Sequence, residues 1–143
     1  MALSNPTATL HAWLLDRIQA ALGTRARLTI VGDDWIDNLL ASGQRVDLEW
    51  GLTPHGILSS VIDLGTNRAV LSYSLVGAWS GVSRNLDWTD RQVRQVTNLQ
   101  RTILTAAPPA DVDHIESGQA TSIDRAKLVA WDIPVIMRCE VED

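Results

Sequence analysis

Several residue types are missing or nearly missing from this 143-residue sequence, which has no Phe, one Tyr, one Lys and one Cys. With Cys139 alone, no disulfide can form within the chain and no zinc site can be built from several thiolates. A single cysteine also fits a reducing compartment, where disulfides are rare. Because Cys139 lies in a strand-like pattern with apolar residues two positions away on either side, we expect a buried thiol rather than a nucleophile.

Long apolar runs and an excess of basic residues are absent too. No stretch approaches the ~20 apolar residues of a membrane-spanning helix, and the first residues lack the basic and apolar parts of a signal peptide. The formal net charge is −5, whereas nucleic-acid binders usually carry a basic stripe. Arg91, Arg94 and Arg101 share one segment, but we interpret them as the solvated face of a helix. We therefore expect neither sequence-specific nucleic-acid recognition nor a membrane partner.

The sequence contains none of the common catalytic motifs. It has no phosphate-binding loop, no G-x-G-x-x-G stretch and no G-x-S-x-G nucleophile elbow. Acidic residues cluster in segment 111–116, which also holds a His, and in segment 33–37. Such groups can bind a hard cation or serve acid–base chemistry, but a polar loop and helix capping fit their surroundings better. We therefore predict a chain that is not an enzyme, with no catalytic, cofactor or metal site.

What the sequence does contain is typical of one globular domain. The apolar fraction is 45% and the charged fraction is 20%, which is ordinary for a chain with a packed core. A length of 143 residues suits a single domain. We accordingly predict one domain over residues 1–143.

Helical periodicity is clearest near the N-terminus. Over residues 8–22, Leu10, Leu14 and Ile18 fall on one apolar stripe, and Gly23 follows in the position of a C-terminal cap. This pattern predicts an amphipathic helix.

Two further segments favour helix. Thr89 and Gln92 have the spacing of a capping box, which predicts that a second long helix begins at Thr89. Pro108 and Pro109 mark its end. The apolar spacing within residues 35–40 allows a short helix of one or two turns.

The centre of the chain has strand periodicity. We predict strands at 46–52, 57–64 and 69–76, separated by turns at 53–56 and 65–68. A glycine that follows, Gly77, marks the end of the last strand, a bulge or a close backbone approach.

The C-terminal part has strand periodicity as well. Residues 128–131 and 135–141 are strand candidates, and Pro134 between them indicates a sheet edge or a bulge. Segment 110–120 is expected to be a loop or an edge. Strands in runs, with helices between the runs, predict an α+β fold: a mainly antiparallel sheet with two principal helices packed on one face.

Six Trp are present. Trp35, Trp79 and Trp88 lie beside turn residues, where exposure is expected, and Trp is strongly enriched at interface hot spots. Arg84 lies in the same central region, and Arg is enriched at interfaces where Lys is depleted. These four residues are therefore the candidate protein contacts. Two alternatives remain open: each Trp packs within its own domain, and the preference for Arg reflects codon usage.

The order of these elements resembles that of the tail-terminator family of long-tailed bacteriophages and of similar small proteins of contractile-tail phages. The resemblance covers nearly the whole chain: a short N-terminal amphipathic helix, a long central strand pair (46–82), a helix (89–106) and a final strand pair ending near residue 141. It implies an α+β fold and a hexameric ring on the last ring of the tail tube. The ring would stop tube growth and offer a surface to the head-side connector, without catalytic residues. Other neck and tail-completion proteins share this size and element order.

The expected function is therefore that of a structural virion protein of the tail or neck, assembled in the host cytoplasm. Its subunits are expected to meet through an exposed edge of the central sheet, with strands 46–52 and 69–76 as the candidates. The alternative is a small cytoplasmic protein-binding or immunity-type module without catalytic activity. A small enzyme that uses the acidic loops is a third hypothesis, and oligomeric state separates the first two.

Overall fold

The computed structural model describes residues 2–44, 46–63, 66–80, 86–125 and 127–142. Over these residues the chain forms nine elements, in the order α1 (Pro6–Leu22), β1 (Leu28–Ile30), α2 (Trp35–Ser42), β2 (Asp47–Asp63), β3 (Thr66–Ser80), α3 (Leu86–Thr105), β4 (Val112–Ser117), β5 (Thr121–Arg125) and β6 (Leu128–Val141).

The strands form one sheet in the order β1-β2-β3-β6-β4, and β5 also pairs with β6. All pairs are antiparallel except β1 with β2, so the predicted α+β class is confirmed. The parallel pair was not predicted. It forms because α2 connects β1 to β2 as a crossover, the kind of connection that parallel neighbours require.

The two long helices contact each other and pack on one face of the sheet, here called the front face, as predicted. Leu10, Leu14 and Ile18 of α1 are completely buried, so the predicted apolar stripe is confirmed. The helix begins after Asn5, whose side chain accepts a hydrogen bond from the Ala8 amide. Burying each large apolar side chain stabilises the fold by about 1.5–3 kcal/mol.

The short helix α2 packs on the opposite face, here called the back face. Its Trp35, Ile36, Leu39 and Leu40 cover a small cluster on the sheet. That cluster consists of Val46, Val76, Ala78, Leu128 and Ala130. No residue of α2 is fully buried, so this helix covers the back face less completely than α1 and α3 cover the front.

The predicted turn at 53–56 is wrong, because β2 runs as one strand through this segment. Its turn-forming residues produce irregularities instead. Gly56 has φ +96°, and the register with β3 shifts between Pro54 and Gly56 and again between Ile57 and Ser59. Gly adopts this backbone conformation without strain, and a bulge absorbs the additional residue within the strand.

A further register shift in β2 lies between Asp47 and Glu49. Strict alternation would place Val46 and Trp50 on the same side of the sheet. The shift instead turns Val46 into the back-face cluster, whereas Trp50 lies in the front-face core.

The predicted start of α3 is also wrong. The helix begins at Leu86, so Thr89 is its fourth residue and cannot be the N-cap. Gln92, the expected partner in a capping box, has 4% exposure and faces the core. A threonine and a glutamine three residues apart also occur inside helices, and here the pattern does not mark a helix start.

Pro134 lies neither at an edge nor in a bulge, because β6 has neighbours on both sides. Its carbonyl oxygen accepts a hydrogen bond from the Gly118 amide at 2.8 Å. In an antiparallel strand the N–H and C=O of one residue point to the same side. The missing N–H therefore falls in the gap between Ser117, which ends β4, and Thr121, which begins β5. Segment 110–120 thus contains an edge strand as well as loop.

Candidate assembly surfaces

The structure places two of the predicted contact residues, Trp79 and Trp35, on opposite faces of the sheet. Trp79 has 6% exposure and packs edge-on against Trp50, with ring centroids 6.0 Å apart. Little of its side chain is available to a partner, so the expectation that Trp79 is exposed is wrong. The same packing explains the glycine at position 77. Because Gly77 has no side chain, the Trp50 ring can approach the backbone of β3.

Of the other three predicted contact residues, only Trp35 has a described side chain. Trp35 begins α2 and is half-buried, because its ring lies over Gly51 of β2. Arg84 lies outside the described residues. Trp88 belongs to α3, but its side chain lies outside the described part of the structure.

The strands expected to be edges are paired. Trp50, Gly51 and Leu52 of β2 pair with β1, and β3 lies between β2 and β6 along its length. Within β2 itself, the part beyond Leu52 has no β1 residues paired with it and forms a free edge. There the residues Pro54–Ser60 are all exposed, and we call this segment the hairpin patch.

The hairpin patch carries two large apolar side chains in solvent. Ile57 has 66% exposure and Leu58 has 60%. Sequence reasoning missed them, since apolar residues in a strand pattern normally indicate a core. Pro54 and the adjacent bulges make this edge irregular, which protects it from indiscriminate strand pairing. Contacts here are therefore expected through side chains rather than through an added strand.

An apolar groove of about 420 Å³ adjoins the patch on the front face. Its walls include Pro6, Ile57, Leu71, Tyr73 and Val141. Thr7 also lines it, and the hydroxyls of Thr7 and Tyr73 are 3.1 Å apart. Burial raises the pKa of Tyr73, so this hydroxyl is neutral at physiological pH and acts as a hydrogen-bonding group. The lining suits an apolar side chain better than a charged ligand.

Two acidic side chains of β4, Asp113 and Glu116, lie next to arginines. Asp113 accepts a hydrogen bond from Arg68 at 2.7 Å, and Glu116 lies 4.0 Å from Arg138 and 3.9 Å from His114. Within the described residues, no group of three or more His, Cys, Asp or Glu is placed to hold a metal ion.

The Cys139 thiol and the His11 imidazole are both at least partly enclosed by the fold. Cys139 has 1% exposure, as the strand pattern predicts. Its burial, and to a smaller extent the charge of Asp113, raises the pKa of the thiol, which disfavours the reactive thiolate. His11 is half-buried, with its Nε2 atom 2.7 Å from the carbonyl oxygen of Leu28.

Across the described ranges, no helix is both long enough and apolar enough to cross a membrane.

A substitution experiment tests whether the hairpin patch is a free surface. Replacing Ile57 and Leu58 together by Ala should change the free energy of unfolding by less than about 1 kcal/mol per site, mainly through strand propensity. Leu52→Ala in the same strand is the matched control. Leu52 is completely buried, so its truncation should cost about 2–5 kcal/mol. Urea denaturation gives both values. Equal losses per site would show that the patch is packed within the folded chain.

Comparison with known proteins adds one structural likeness. No protein-family model matches the sequence, and no curated protein matches it. Among solved structures, the chain is similar to a protein in the virion of a native gene transfer agent (GTA) particle, with a TM-score of 0.61 and 12% sequence identity. The match covers 92% of this chain and 94% of the other. At this identity the likeness shows that the two chains share a fold.

Proposed function

We propose that this chain is a structural virion protein that acts as a tail terminator: a ring that caps the tail tube and joins it to the neck. The observation that carries the proposal is the fold shared with a protein of the gene transfer agent virion across nearly the full length of both chains. A match of this extent spans most of the fold rather than one common motif. It adds to the element order that resembles the tail-terminator family.

The surfaces of the chain support a role in protein assembly rather than in catalysis. The hairpin patch exposes Ile57 and Leu58 beside an apolar groove. Exposed apolar groups that cluster are typical of protein–protein contact sites. Asp113 and Glu116 lie against arginines and the Cys139 thiol is buried, so these groups stabilise the fold instead of forming a reactive site.

In this proposal the partners are further copies of the chain, the tail tube and the neck or connector proteins. The ring has six subunits, as the resemblance implies, and is part of the virion after assembly in the host cytoplasm. Trp35, Arg84 and Trp88 remain proposed contact residues, whereas Trp79 belongs to the core.

The oligomeric state distinguishes this function from that of a small cytoplasmic binding module. Purified protein is incubated with preformed tail tubes, crosslinked and analysed by mass spectrometry. The ring predicts a crosslinked product of six chains of 15.7 kDa each. Products limited to one or two chains, with and without tubes, would favour the binding module.

A further inference from the structure

Two helical surfaces of opposite charge lie on opposite faces of the sheet. The first, here called the basic strip, comprises Arg91, Arg94 and Arg101 on the outer side of α3. The second, the acidic surface, comprises Asp33, Asp34 and Asp37 at the start of α2. We infer that the basic strip of one copy binds the acidic surface of the next copy in the ring. This inference rests on the proposed function.

The basic strip is exposed on the side of α3 that faces away from the core. Its three arginines are exposed, as is Asp90 four residues before Arg94, so the strip carries a net positive charge. Spacings of three and seven residues keep the arginines on one side of a helix. The buried side of the helix carries Val96, Leu99 and Ile103. None of the ion pairs between described side chains involves the strip.

Apolar side chains accompany these arginines. Val93 has 44% exposure and Leu104 has 58%. Leu104 lies one turn from Arg101 on the helix surface, and Val93 lies on the same flank of the helix as Leu104. A purely solvated helix face would favour polar residues at such positions. Arginines mixed with exposed apolar groups are instead typical of a protein interface.

The acidic surface is complementary to the basic strip in charge. Its three carboxylates are exposed, and residues 28–44 contain no Lys or Arg. The imidazole Nδ1 of His55 lies 3.9 Å from Asp33, whose side chain keeps 85% exposure. Nearby, Trp35 and Leu39 of α2 remain partly exposed, so apolar groups border the charges here as they do on α3.

The positions of the two surfaces suit a ring. A head-to-tail contact joins two different surfaces of the same subunit, and repetition of that contact closes a ring. Neighbours in a ring of six differ by a rotation of about 60°, so the two surfaces must lie on roughly opposite sides of the subunit. The sheet separates α2 on the back face from α3 on the front face, which meets this requirement.

Charge reversal tests the pairing directly. Variant one carries Arg94→Glu and Arg101→Glu, variant two carries Asp33→Arg and Asp37→Arg, and a third variant combines all four changes. Each pair of changes places like charges opposite each other and should lower the yield of crosslinked hexamer on tail tubes at least about ten-fold. The combined variant restores opposite charges and should recover most of that yield.

The control carries Arg25→Glu and Arg27→Glu. It changes net charge as variant one does, at exposed positions outside both surfaces, and should assemble like the wild type. Thermal denaturation of every variant confirms that it is folded.

The outcomes separate the inference from the proposed function. Recovery in the combined variant supports the pairing. Normal assembly of variants one and two overturns it, as does loss in both without recovery. If the wild type forms no ring even with tubes, the proposed function fails and the inference fails with it.

Discussion

Replacing Trp50 by Ala is expected to lower the free energy of unfolding by about 3–5 kcal/mol. The side chain has 1% exposure and lies in the front-face core, where it packs against Trp79 and over Gly77. Its loss leaves a cavity that the paired strands β2 and β3 cannot close, because their backbones are fixed by the sheet. Equilibrium urea denaturation measures the change.

Trp50→Phe is the matched control. It keeps an aromatic ring in the core and removes the indole N–H, which has no hydrogen-bond partner among the described residues. An unpaired buried donor itself costs about 1–3 kcal/mol. The Phe variant should therefore lose less than half of what the Ala variant loses. A loss below about 1 kcal/mol for Trp50→Ala would contradict the position assigned to this side chain, since truncating a buried Trp costs more.

Gly77→Ala is expected to destabilise the fold by about 1–3 kcal/mol through overpacking. A Cβ atom at this position would lie 2.7 Å from two carbon atoms of the Trp50 ring, closer than van der Waals contact permits. The ring is rigid, so either the ring or the strand must shift. The same denaturation measurement applies.

A double-mutant cycle isolates this cause. In the Trp50→Phe background the contacting ring atoms are gone, so Gly77→Ala should cost clearly less than in the wild type. Gly56→Ala is the control. Gly56 has φ +96°, and a Cβ atom added there would meet nothing within 4 Å, so its cost comes from the backbone alone and should add to that of Trp50→Phe. An additive cycle for Gly77 would rule out the proposed clash.

Elements with strong local periodicity were predictable from the sequence. Leu10, Leu14 and Ile18 repeat at helical spacing, and in β6 the alternation that includes Val135 and Met137 places these side chains in the core. In both cases the local spacing alone determines which side faces inward, because the element is regular.

Irregular features were not predictable in the same way. The residues around Pro54 and Gly56 have turn chemistry, but β3 continues to pair with them, so the strand bulges instead of turning. Likewise, Pro134 is tolerated in an interior strand because its missing N–H falls in the gap between β4 and β5. Both outcomes depend on neighbours that are distant in the sequence.

The candidate surfaces show the same limit. Trp79 looked exposed because of the glycines near it, yet Gly77 serves to admit another aromatic ring. Arg94 and Arg101 looked like an ordinary solvated face. Their pairing with Asp37 of a neighbouring copy could be inferred only from the fold, which places α2 and α3 on opposite sides of one sheet.

A protein that caps tail tubes, as proposed here, must act at the ends of the tubes, where it can be imaged. Purified protein is added to growing tail tubes, which are then examined by electron microscopy. We expect a ring at one end of each tube and an arrest of tube elongation. Binding along the sides of tubes, or no binding while the tubes continue to lengthen, would contradict it.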